Sequence, residues 1–303
     1  MFARPLVAYA LLYILALLAL TGVEGQSPVE PLFVLVMFGF ALPGLAWWST
    51  RGLQPRTAPV HSPSSEMMAT TAYLIALAAF ITWGLPAVRG LASSGQGAEV
   101  GVLFAKVVVF ILLPYLVWTS AFKCRWSELF DLRGGLTGHW RPTLVMAAAV
   151  VAFQAVFGRA SREWSGITTE PATIGLAAVG CFLWLLLDAG LVEELPFRGL
   201  LQTRLAAATQ SDVAAVIGMA ICFGLAHAPG LYLRPELMGE AVGAHPSLLR
   251  AVSYSLAVTS VASFPYGILW LRTRNLWVVA CVHAAQDWLP ALVDTLRTGV
   301  LGA

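Results

Sequence analysis

The chain has 303 residues, of which 58% are hydrophobic and 11% charged, with a net charge of +2 and a mean hydropathy of +0.77. Ordinary soluble domains carry about 25% charged residues, so the apolar surface here exceeds what soluble cores hide, and bilayer lipid is the solvent that accepts it. The near-balanced charge gives no sign of a nucleic-acid partner, and Cys124, Cys181, Cys222 and Cys281 are scattered singly, so that neither a disulfide framework nor a zinc knuckle follows.

A spanning helix needs about 20 mainly apolar residues. Such runs fall at 5–23, 31–49, 67–88, 99–121, 142–158, 174–197, 212–228, 248–271 and 276–295. The first follows Arg4 as a signal peptide would, yet shows no clear small-residue cleavage site, so it reads as a helix. The fold class expected is all-α, a polytopic membrane bundle of about 8–9 transmembrane helices.

With the N-terminus inside, the cytoplasmic segments carry Arg4, Arg51, Arg56, Lys123, Arg125, Arg133, Arg141, Arg198, Arg204, Arg272 and Arg274. The opposite side carries Arg89, Arg159, Arg162, Arg234, Arg250 and Arg297, so the bias agrees with the positive-inside rule. Residues 51–66 are rich in Pro and Ser and read as a flexible connector. No internal repeat is visible. The informative polar residues lie in the last four helices, which divides the chain into N-terminal spans of unassigned role (1–170) and a chemical core (171–303). Lysine occurs only at Lys106 and Lys123, against sixteen arginines. That usage points to a GC-rich bacterial genome, and so to the plasma membrane of a bacterial cell.

A charge at the centre of a membrane helix costs about 2.5–3.5 kcal/mol on insertion scales, so each one demands a partner or a function. In LVEELPFRGLLQTRL, Glu194 and Arg198 are four apart and stack as an ion pair, while Glu193 points about 100° away and is left free. Pro196 deprives the Val192 carbonyl of its amide partner and predicts a kink beside Glu193. A structural salt bridge with one snorkelling acid is the plainer alternative. In ICFGLAHAPG, Phe223 and His227 share a face; in VVACVHAAQDWLP, His283 and Asp287 do. Taken singly, the first histidine is also compatible with helix packing and the second with a local His–Asp hydrogen bond.

Depth brings the three together. At 1.5 Å per residue, Glu193 lies about 16 Å from Arg204, His227 about 22 Å from Asp212 and His283 about 13 Å from Arg274, three positions on the cytoplasmic side. All reach mid-membrane, provided that Arg198 is itself buried and paired. Lys106, inside the fourth span, has no evident partner and is expected to snorkel.

The ordered triple EELPFR, FGLAH and HAAQD resembles the CPBP family of intramembrane proteases, also called the CAAX protease and bacteriocin-processing or Abi family, which includes the Ras-converting CAAX prenyl endopeptidase. Its pattern is EExxxR, FxxxH and HxxxN or HxxxD, and the resemblance covers residues 174–295. It implies an intramembrane endopeptidase acting on a membrane-associated or lipidated peptide that enters from the bilayer. Glu193 would polarise the attacking water with His227 as its partner, and His283 with Asp287 would stabilise the oxyanion. Glu194, Arg198 and Phe223 would support the site. Where other members carry Asn, this chain has Asp287, and an ionised carboxylate repels an oxyanion; a role in orienting His283 fits better. The resemblance implies no metal cofactor, although His227, His283, Asp287 and a glutamate are a legitimate zinc set and a zinc-dependent version is the second choice. A proton-coupled transporter is the alternative from another class, since intramembrane Glu, Asp and His also build proton relays; a non-catalytic scaffold is a third.

Overall fold

The computed structural model describes residues 3–53, 60–91, 95–129, 136–234 and 242–302. Arg56 and Arg133, counted above as cytoplasmic cations, lie outside them. Among the described residues, nine helices are long and apolar enough to cross a membrane: α1 Arg4–Val23, α2 Val29–Ser49, α3 Pro63–Gly90, α4 Gln96–Ala121, α5 Trp140–Phe157, α6 Pro171–Thr209, α7 Asp212–Leu233, α8 Leu248–Thr273 and α9 Leu276–Thr298. No strand occurs among these residues, and the expected polytopic helical bundle is borne out.

The helices divide by burial. In α7, α8 and α9, half or more of the most apolar stretch is buried, against 22% or less in α1 to α6. The last three helices therefore form the interior and the others present most of their apolar surface to lipid. The starts of α7 and α9 are fixed by side-chain caps: Ser211 Oγ accepts the Ala214 amide at 3.2 Å, and Asn275 Oδ1 accepts that of Trp277 at 3.0 Å.

Helix α6 is longer than its apolar run suggests. It was expected to stop near residue 197 and instead continues to Thr209, 39 residues in all. Straight, that length would measure about 58 Å, twice the hydrocarbon thickness of about 30 Å. Two widened, π-type stretches interrupt it, at Leu186–Leu191 and Leu195–Gln202. Pro196 sits in the second, where i→i+5 pairing accommodates a residue without an amide proton, so the helix continues past the proline.

Two glycines set the spacing of the interior. A Cβ on Gly190 of α6 would lie 2.6 Å from the Ala280 carbonyl oxygen of α9, and one on Gly224 of α7 would lie 2.5 Å from the Ser255 carbonyl oxygen of α8. Backbones approach this closely only where no side chain intervenes. Both contacts lie beside the motif residues.

Three charged residues differ from expectation. Lys106 is no snorkelling lysine: its ammonium lies 2.8 and 2.9 Å from the carboxylate oxygens of Asp188, so α4 is tied to α6. Arg204, used above as a water-side anchor, is 1% exposed and lies 2.9 Å from Glu66 of α3. Arg274, the anchor for His283, is also buried and donates to Thr203 Oγ1 at 3.2 Å. The depths counted from these arginines do not start at water. The motif residues meet because the helices converge through the glycine contacts.

Candidate active site

Glu194 and Arg198 lie one turn apart on α6, with the guanidinium 3.0 Å from Glu194 Oε1 and both side chains fully buried. Such a pair survives in a low-dielectric interior only with further support, which two rings supply. The Arg198 guanidinium lies 4.5 Å from the Phe223 ring centre and 5.4 Å from that of Tyr266, placing the cation against two π faces. Its Nη2 also donates to the Ser263 carbonyl at 3.5 Å. Thus α6, α7 and α8 are joined around one buried cation.

The same Glu194 oxygen reaches α9. His283 Nδ1 lies 2.6 Å from Glu194 Oε1, which fixes the imidazole and directs Nε2 away from the pair. Around Nε2 stand two more carboxylates, Asp287 Oδ2 at 3.5 Å and Glu193 Oε2 at 4.0 Å. The Tyr266 ring packs against His283 with centres 5.3 Å apart. Glu193 differs from its neighbour: it is partly accessible and makes no hydrogen bond among the described residues.

His227 hangs from α7 with Nδ1 2.8 Å from the Phe223 carbonyl oxygen. A carbonyl only accepts, so Nδ1 carries the proton and Nε2 is the basic nitrogen of the neutral ring. The Phe223 ring centre lies 4.7 Å from that of His227 and 6.4 Å from that of His283, so one phenylalanine separates the two imidazoles.

Glu193 and His227 share a cavity of about 340 Å³ between α3, α4, α6 and α7. Three cations line it: Arg89, Lys106 and Arg234. Arg89 is paired with Glu99 at 2.7 Å and Lys106 with Asp188. Arg234 donates to the Ile81 carbonyl at 3.2 Å and has no acidic partner among the described residues. His283 and Asp287 are not part of this lining; they approach Glu193 from α9.

All seven residues named from the sequence, Glu193, Glu194, Arg198, Phe223, His227, His283 and Asp287, are thus gathered at one place. Sequence reasoning missed Tyr266, the link from Glu194 to His283, and the cations contributed by α3 and α4. Lys106 and Asp188 carried a usable signal, being opposite charges left over inside spans. Tyr266 carried none.

Fold and site together define a polytopic helical membrane protein with a buried acid–histidine centre built from its last four spans. Residues 174–289, which contain all three motifs, match the family model described as Rce1-like: Type II CAAX prenyl endopeptidase Rce1-like. The CAAX protease resemblance is borne out over that segment, and the family supports a protease of CAAX type working within the membrane. No curated protein and no solved structure matches the chain.

Proposed function

We propose that the protein hydrolyses a peptide bond of a membrane-associated peptide with a water molecule activated by Glu193. The observation that carries this reading is the division of labour between adjacent acids. Glu194 is consumed by Arg198 and His283, whereas Glu193 makes only a long contact with His283, 4.0 Å to Nε2, and lines the cavity it shares with His227.

A water held between the Glu193 carboxylate and His227 Nε2 gives its proton to Glu193 as its oxygen attacks the scissile carbonyl carbon. The negative charge that forms on the carbonyl oxygen is met by the N–H of His283, donated through Nε2 while Glu194 holds Nδ1. Glu193 then passes its proton to the departing nitrogen as the C–N bond breaks, leaving a carboxyl and an amine. In this scheme Glu194 takes the part of the carboxylate that orients a histidine in a triad, and Asp287 stands beside the other nitrogen at 3.5 Å.

Arg234 suits the far end of the substrate. It follows His227 by seven residues, about 10 Å along α7, so an anionic group of a bound peptide held there leaves a peptide bond beside Glu193. The scheme uses no metal. The use of arginine over lysine, sixteen to two, favours a bacterial plasma membrane as its location.

The test is incubation of the detergent-purified protein with a quenched-fluorescence peptide library. Cleavage by the wild type and its loss in Glu193→Gln are expected. Cleavage abolished by a chelator and restored by zinc would replace the glutamate scheme with a metal-dependent one.

A further inference from the structure

A second cluster of ligating side chains lies outside the proposed active site, where the connector before α3 meets the connector after α4. His61, Cys124 and Glu128 each offer one donor atom, and these atoms all lie within 4.8 Å of one another. His61 Nε2 and Glu128 Oε2 are 3.3 Å apart. With metal–nitrogen and metal–oxygen bonds of about 2.0–2.2 Å, the edge of a tetrahedral zinc site measures about 3.3 Å. Two of the three donors therefore already stand at ligand spacing, and the thiol, within 4.8 Å of both, has at most about 1 Å to close.

The backbone around each donor is fixed independently. The amides of His61 and Ser62 both donate to Glu66 Oε1, at 2.8 and 3.0 Å, and the other oxygen of that buried carboxylate is held by Arg204. After α4 the chain turns through Lys123, a non-glycine residue in the left-handed region at φ +57°. The amides of Phe122 and Cys124 both return to the Trp118 carbonyl, at 3.2 and 3.1 Å, which is the geometry that closes a helix C-terminus. That turn buries the Cys124 thiol while Lys123 and Arg125 remain exposed. Glu128 is aligned by the Arg125 amide at 2.8 Å.

We infer that His61, Cys124 and Glu128 bind a divalent transition-metal ion of the zinc class, with water in the fourth position. The donor set is a neutral imidazole, a thiolate and a carboxylate, whose two negative charges balance one divalent cation. The nearby Glu66–Arg204 pair adds no net charge. Mixed nitrogen, sulfur and oxygen donors select zinc and its neighbours over calcium or magnesium. The ion fastens two connectors that no described helix joins, and it does so through the segment that positions Glu66 on Arg204 of α6.

The full-length protein in detergent is equilibrated with Zn²⁺, freed of excess ion, and its metal content measured; Co²⁺ in place of Zn²⁺ reports thiolate ligation through its charge-transfer band. About one equivalent per chain is expected, with a thiolate signal that disappears in Cys124→Ser. His61→Ala alters a half-exposed side chain, so its fold is preserved, and its affinity for Zn²⁺ should fall at least tenfold. Glu193→Gln should bind as the wild type does. Absence of bound zinc, unchanged affinity in His61→Ala, or loss of the ion in Glu193→Gln would overturn the assignment, the last by moving the metal to the proposed active site.

Discussion

Replacing Glu194 by leucine leaves the Arg198 guanidinium with no carboxylate in a site where both side chains are fully buried. Removing one partner of a buried pair costs about 3–5 kcal/mol, because the surviving charge stays desolvated. The cation–π contacts with Phe223 and Tyr266 are present before and after the change, so they leave this cost in place. Arg198→Met should cost a similar amount through the stranded Glu194. The double variant buries neither charge and should recover about 3 kcal/mol or more relative to the sum of the single effects. Unfolding of the four proteins in mixed micelles measures this cycle. Activity should separate from stability: the double variant folds but has lost the acceptor of His283 Nδ1 at 2.6 Å, so kcat should fall on the order of 10²-fold or more. Single variants as stable as the wild type to within about 1 kcal/mol, or strictly additive effects, would refute the reasoning.

Gly190→Ala places a methyl group 2.6 Å from the Ala280 carbonyl oxygen, and backbone cannot yield as a side chain tip can; a loss of about 1–3 kcal/mol is expected, with kcat reduced because α6 and α9 carry opposite walls of the site. A thermal melt of this variant matching the wild type would show that the helices are not in contact there. Arg234→Ala should raise KM for a peptide bearing a free carboxylate and leave an amidated analogue unaffected; equal effects on both peptides would deny it the role of anchoring an anion.

Much of the site was legible because charge inside a membrane is costly and therefore sparse. Glu194 and Arg198 are paired by helical spacing alone, and Glu193 is left over by the same geometry, since neighbouring residues on a helix face different ways. His227 and His283 stand out as polar residues in otherwise apolar runs. What could not be read was which residues of different helices face one another. Lys106–Asp188, Glu66–Arg204 and Glu194–His283 join residues 82, 138 and 89 positions apart, and each depends on the rotation and closeness of two helices that no local pattern encodes. The end of α6 lies past its apolar run for a related reason: the run closes near residue 197, whereas a widened turn and packing of the buried stretch from Leu195 to Arg204 carry the helix on. The glycines that allow the close approach, Gly190 and Gly224, are indistinguishable in sequence from the many others. The front of the chain, silent in the motifs, supplies cavity-lining residues through Ile81, Arg89 and Lys106.

The most direct measurement is cleavage of an identified peptide in water enriched in oxygen-18, comparing wild type with Glu193→Gln, a substitution that keeps the size of the side chain and leaves the Glu194–Arg198 and Glu194–His283 contacts in place. The account predicts one heavy oxygen in the new carboxyl of the wild-type product and no product from the variant. Cleavage by Glu193→Gln at the wild-type rate would contradict it.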